Sequence, residues 1–398
     1  KPYYAMQICC YSEMLEALQG RLPEHAGIIL GNSERKSLRV SDYLFYYRSI
    51  KRAFLEQQRS FRPDTPPHFP GRADYRHWQG YVTGLLEMRN DVSLVANVRG
   101  TQVEKFAAAG ITTVKGLAES TLELVPRMAR DTFERLQSQA RLQLSSIPGK
   151  PPAFELLPES VENRRRGFGM LPPSSPHDIA FDIEGYPMVK GGLEYLLGVT
   201  CQEDGKSVFK DWWAHDRGQE RASFEAFIDW VYERWEQDPS MHIYHYAFYE
   251  TTALKRLMSR YASREDEVDD LLRNHVFVDL YAVVKQALLI GEPSYSLKNV
   301  EHLYLSKRNG QVATASDSMV YYYRWLSSPD GADWRHSPTL NLIRDYNQAD
   351  CDSTWMLIQW MHERQCAAGR SYVPADAPNQ LAEETSGRAR LAREMLAK

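Results

Sequence analysis

Asp182 and Glu184 stand two residues apart in Asp178-Ile179-Ala180-Phe181-Asp182-Ile183-Glu184, a stretch that alternates as a strand. Positions i and i+2 of a strand leave the same face, so both carboxylates point one way. Burying two acids on an apolar strand costs several kcal/mol each unless a cation compensates. The pattern therefore favours a divalent-cation site over a solvated sheet edge. Tyr346 and Asp350, four residues apart in a segment of helical spacing, share one helix face. There a phenol can orient an attacking water while the carboxylate binds metal. A Tyr-x-x-x-Asp pair is common, and this one gains meaning only from its place downstream of the strand acids. Glu250 opens another helix after Tyr246-Ala247-Phe248-Tyr249, where the helix dipole alone would favour an acid. Asp279 reads either as a further site acid or as an N-cap. His242 and His245 are read as structural in preference to a ligand pair. The chemistry open to such a set is phosphodiester hydrolysis with two Mg²⁺ or Mn²⁺ ions roughly 4 Å apart.

These groups need a scaffold. Residues 178–184, 192–201 and 207–213 read as three strands of an antiparallel meander. Helix 224–236, strand 241–245, helix 249–261, strand 276–279, helix 280–289 and a last helix over 340–363 follow. That order predicts an α/β fold with a mixed sheet flanked by helices over 177–366, followed by a tail over 367–398. Upstream, residues 1–60 read as helix, short strand (27–31) and a second helix capped by Ser41-Asp42. Pro63, Pro66, Pro67 and Pro70 mark a linker. Residues 74–145 are mainly helical. Within them, two short helices hinge at Gly110, either as a helix-hairpin-helix whose backbone N–H groups hold a phosphate or as an ordinary αα-hairpin with a Gly cap. Residues 146–176 read as a second linker carrying Arg164-Arg165-Arg166, with Arg165 a candidate phosphate contact.

The chain of 398 residues has room for two or three domains, and its 43% hydrophobic and 12% aromatic content fits a substantial core. A net charge of −4 leaves no global footprint for nucleic acid, yet a site built of carboxylates would itself count as acidic. Five scattered cysteines without metal-ligand spacing suit a reducing cytoplasm. No stretch approaches the roughly 20 apolar residues of a membrane helix, so no membrane partner is expected. The opening at Lys1 reads as the middle of a longer protein.

The ordered motifs resemble the DEDD exonucleases. Ala180 to Gly185 is similar to their first motif, Tyr246 to Leu254 to the second, and Tyr346 to Asp350 to the third in its Tyr-bearing (DEDDy) form. Ser294 to Val300 resembles the family's Ser-Leu-Lys segment and makes Lys298 a candidate nucleic-acid contact. With Gly192 to Gly198 added, the chain looks most like a YprB-type RNase H-like domain. The resemblance implies a 3′–5′ exonuclease acting on single-stranded DNA or RNA. By it, Asp182, Glu184 and Asp350 hold the catalytic ion, Asp182 and Glu250 the second, and Tyr346 positions water. Tyr246 stands where the family has Asn, and Glu250 where it has Asp. That departure keeps an alternative open, a catalytically weak or inactive nucleic-acid-binding module serving a helicase or nuclease partner. Gln7-x-x-x-Tyr11 resembles a helix motif of RecB-like nucleases, which implies that residues 1–60 are the C-terminal remnant of such a domain. Its relatives carry cysteines near what is here Asp74 to Asn90; none stands there, and no iron–sulfur cluster is expected.

Overall fold

The computed structural model describes residues 2–30, 34–62, 75–147, 149–159, 163–305 and 314–375. The proline-rich stretch from 63 to 74 and the tail from 376 onward lie outside the described residues. Two compact units divide the chain, Lys1–Pro70 and Gly71–Lys398.

In the first unit, helix α1 (Pro2–Gln19) leads to strands β1 (His25–Ile29) and β2 (Arg35–Arg39), an antiparallel pair, and then to helix α2 (Ser41–Ser60). Strand β2 was not expected, because Arg35-Lys36-Ser37-Leu38-Arg39 has too few apolar residues to alternate. The cap expected from Ser41-Asp42 is not made: Val40 occupies the N-cap and no side chain bonds there. Gln7 Nε2 donates to Tyr11 Oη at 2.8 Å on the exposed side of α1. Cys9, Val40, Leu44 and Tyr47 form a small core.

The second unit begins with helices α3 (Gln79–Met88), α4 (Gly100–Ala108), α5 (Val114–Ala118) and α6 (Arg130–Ser145), the last three sharing a core around Phe106, Leu117 and Phe133. At the α4–α5 turn Gly110 takes φ +79°, a conformation that favours glycine. The amides of Ala109, Gly110 and Ile111 all donate back to carbonyls of α4, and Thr113 Oγ1 accepts from Gly116 N at 2.9 Å. The turn donors are therefore engaged within an αα-hairpin with a glycine cap.

The described parts of residues 146–176, read from sequence as a linker, are built into the second unit. Strand β3 (Phe154–Leu156) pairs antiparallel with β9 (Leu288–Ile290), and Phe168 and Leu171 are fully buried. Next come β4 (Ile179–Tyr186), β5 (Leu193–Glu203), β6 (Lys206–Trp213), α7 (Arg217–Gln237), β7 (Ile243–His245), α8 (Tyr249–Tyr261) and α9 (Glu265–Arg273). Strand β8 (Phe277–Asp279), α10 (Leu280–Ala287), β9, α11 (Leu297–Val300), α12 (Ala315–Ser327) and α13 (Pro338–Ala367) complete the unit. The central sheet has the order β6-β5-β4-β7-β8. Its β4, β5 and β6 run antiparallel, and β7 and β8 run parallel to β4. This is the mixed sheet flanked by helices that the sequence predicts.

Strand alternation decides which face carries chemistry. Ile179, Phe181 and Ile183 pack against α7, α8 and α9, with the Phe181 and Phe227 rings stacked at 4.5 Å. Ala180 points the other way, onto α10 and α13 through Val284, Leu357 and Ile358. Asp182 and Glu184, in register with Ala180, must therefore face α13. That helix starts at a Ser337 cap with Pro338 in its first turn. Arg344 Nε to Asp211 Oδ2 (2.7 Å) fixes it to β6, and Thr200 Oγ1 to Asp352 Oδ1 (2.6 Å) fixes it to β5. Helix α12 was not expected, since the run Tyr321-Tyr322-Tyr323 conceals a helical period.

Candidate active site

One carboxylate oxygen from each of Asp182, Glu184 and Asp350 lies within 4.8 Å of the others. Glu184 and Asp350 are buried and Asp182 keeps partial solvent contact. Burial and the charges of Glu184, Asp350 and Glu250 raise Asp182 well above the usual carboxylate range. Burial, with a contribution from Asp350, pushes Glu184 up to about 8, against the lowering effect of its bond from Ser318. Carboxylates so placed resist ionising together, and a cation among them removes that conflict.

The surrounding side chains hold each acid in place. Asn347, fully buried on α13 between Tyr346 and Asp350, donates from Nδ2 to Asp182 Oδ2 at 2.7 Å. It fits only because Gly198 of β5 stands directly opposite Asp182 in the antiparallel register. A Cβ on Gly198 would overlap Asn347 Oδ1. Ser318 Oγ, from α12, donates to Glu184 Oε2 at 2.8 Å, and Tyr195 Oη lies 2.5 Å from Ser318 Oγ. Between Glu184 and Gly185 the strand register shifts, and a side chain at Gly185 would collide with Tyr249 Oη and Glu194 Oε2.

The Tyr346 phenol is buried and hydrogen-bonded to Asp350; burial, then the charges of Asp350, Glu184 and Asp182, push its pKa far up, so it stays protonated. Lys298 Nζ donates to Tyr346 Oη at 3.0 Å and lies 4.5 Å from the ring centroid. Glu250 opens α8 and is buried, outside the group of three, with Oε2 lacking a hydrogen-bond partner 3.5 Å from His245 Nδ1. Its charge nevertheless acts on Asp182. Asp279 is an N-cap: Oδ1 accepts from Tyr281 N and from Ala247 N, both at 2.9 Å. That second bond steadies Ala247 at φ +73°, in the turn that delivers Glu250.

Structure thus brings Asp182, Glu184, Asp350, Tyr346 and Lys298 together, with Glu250 at the margin. Gly110 lies in the α4–α5 turn. Arg165 sits elsewhere too: its Nε is buried without a hydrogen-bond partner, and its charge is felt by His275, just before β8. Asn347, Ser318, Tyr195 and Gly198 were missed. A glycine inside a predicted strand was a signal for Gly198, whereas nothing local marks Ser318.

Residues 179–362 match the family model described as RNase_H superfamily. This segment is an RNase H-like superfamily domain. Comparisons with curated proteins and with solved structures return no match. The RNase H-like domain contains all of the clustered acids, from Asp182 to Asp350. Among the described residues no helix is long and apolar enough to cross a membrane.

Replacing Gly198 by Ala is expected to dislodge Asn347, lowering stability by ~1–3 kcal/mol, the usual range for overpacking, and weakening cation binding. Thermal denaturation with and without Mn²⁺ reads both effects. An unchanged melting temperature and Mn²⁺ response would show that Asn347 is not needed where it stands.

Proposed function

We propose that the RNase H-like domain is a metal-dependent 3′–5′ exonuclease of the DEDDy type, hydrolysing phosphodiester bonds of single-stranded DNA or RNA. The observation that carries this reading is the convergence of Asp182, Glu184 and Asp350 beside Tyr346, which shares a helix face with Asp350. The donors are all hard carboxylate oxygens, a set suited to Mg²⁺ or Mn²⁺. The buried Glu250 Oε2 without a hydrogen-bond partner is a further acceptor of the kind a cation satisfies. Asp182, Glu184 and Asp350 would hold the catalytic ion, and Asp182 and Glu250 the second. Bound there, such ions lower the pKa of a water and offset charge on the attacking and leaving oxygens.

The protein's own groups do the rest. Asn347 and Ser318 fix the carboxylates of Asp182 and Glu184, so the acids need little reorganisation. Tyr346, protonated and tethered by Lys298 and Asp350, orients the attacking water. Lys298 brings positive charge to the place where the scissile phosphate gathers negative charge. The 3′ polarity rests on the resemblance of the three motifs.

Glu250 favours a second reading, because it stands outside the tight group of three. A weakly held second ion would leave a nucleic-acid-binding domain of slow or absent catalysis, and the helicase or nuclease partner implied by resemblance belongs with it. Oligonucleotides labelled at the 5′ end, with Mg²⁺ or Mn²⁺, separate the two. The exonuclease gives a ladder shortened from the 3′ end, stopped by EDTA, and leaves a circular strand intact. Binding without any ladder selects the second reading; cutting of the circle rejects exonuclease action altogether.

A further inference from the structure

Away from the carboxylates, four arginines line one cleft. Arg135 comes from α6, Arg164 and Arg166 from the segment before β4, and Arg370 from just beyond α13; Gln286 of α10 completes the lining with Glu159 at the rim. Among the described residues Glu159 is the one carboxylate in the lining, 63% exposed and 3.6 Å from Arg370 Nε. A chain of net charge −4 has no general excess of base, so this concentration of positive charge is local. Gathering like charges is unfavourable, and an anion reverses the sign of that energy.

Two of the four are held in place. Arg370 donates from one amino group to Leu157 O at 2.6 Å and lies 5.5 Å from the centroid of the buried Phe168 ring. Arg166 Nε donates to Gln286 Oε1 at 3.3 Å. Each guanidinium carries five N–H donors in a planar fork, so these anchored groups keep donors to spare, in the geometry that recognises phosphate. Arg135, Arg164 and Arg166 are exposed, and Arg370 is half-buried. Of the basic run read from sequence, Arg164 and Arg166 line the cleft and Arg165 does not.

We infer that this cleft binds phosphodiester groups of a single-stranded nucleic acid, at a distance from the catalytic acids. The choice of a nucleic acid over a free phosphate rests on the nuclease reading of the domain. Helix α13 is continuous from Asp350 to Ala367, roughly 26 Å at 1.5 Å per residue, and Arg370 follows three residues beyond its end. The cleft grips a strand several nucleotides away from its reacting end.

The test measures binding of fluorescent oligothymidylate by anisotropy, in EDTA, across a salt series. Reversing two of the exposed arginines (Arg135→Glu with Arg164→Glu) is expected to weaken Kd about tenfold or more. It is also expected to flatten the slope of log K against log salt by roughly 1.4, the value for two lost phosphate contacts on a single strand. The pair Arg135→Gln with Arg164→Gln, milder in charge, gives a smaller loss in the same direction and serves if the reversal impairs folding. Unchanged affinity and slope in the folded variants overturn the inference. So does a melting temperature raised by inorganic phosphate in wild type alone, if strand affinity is the same in both; the cleft then takes a small phosphate ligand. Because no cleavage occurs in EDTA, a failed exonuclease assignment and a failed cleft give different results.

Discussion

Asp182→Asn is expected to abolish metal-dependent trimming and, in the absence of cations, to raise the melting temperature. Both effects come from one carboxylate. Asp182 is the acid shared between the two proposed ions, so its loss is expected to slow trimming on the order of 10³-fold, the scale of removing one main electrostatic contact to a transition state. Without a cation the same charge is a liability, because Glu184, Asp350 and Glu250 all act against it. An asparagine keeps an oxygen for Asn347 Nδ2 and removes the repulsion. Trimming rates and metal-free melting curves of the two proteins decide the matter. A variant that trims as fast as wild type places the chemistry elsewhere.

The metal-free protein should lose stability as pH rises, and Mn²⁺ should restore it. Glu184 is pushed up to about 8 from an ordinary 4.5, so the folded state holds a proton that the unfolded state has released. Its contribution is complete below pH 4.5 and disappears as pH rises through about 8. Asp182, raised as well, acts in the same sense. Cations prefer the ionised carboxylates and therefore stabilise most at the alkaline end. At a hundred times Kd the gain is about 2.7 kcal/mol, roughly 5–10 °C for a domain of this size. Differential scanning fluorimetry at several pH values, with and without Mn²⁺, measures this directly. A Mn²⁺ effect that is equal at pH 5.5 and 8.5 would remove these acids from the account.

The outline of the domain was legible because its elements follow simple periods. The acids of β4 announced themselves by breaking an apolar alternation, and Tyr346 with Asp350 by helical spacing plus position. What escaped was long-range. Ser318 reaches Glu184 across 134 residues, and nothing local in the sequence marks that pairing. Asn347 sits in plain view inside the third motif, yet only the register of Asp182 against Gly198 reveals what it does. The segment 146–176 looked like a linker because its prolines and charges are local features, whereas the pairing of β3 with β9 is not. Asp279 had two local readings, and the turn at Ala247 chose between them.

Helix α13 carries Tyr346, Asn347 and Asp350 in its first half and runs unbroken to Ala367, three residues before Arg370. A single stiff rod therefore sets the separation between the cutting centre and the arginine cleft, and nothing along it can shorten or stretch. Such a rod acts as a ruler. If the domain trims strands and the cleft holds them, strands long enough to span it would be retained between cuts, shorter ones would dissociate sooner, and the final product lengths would record the measure of one helix.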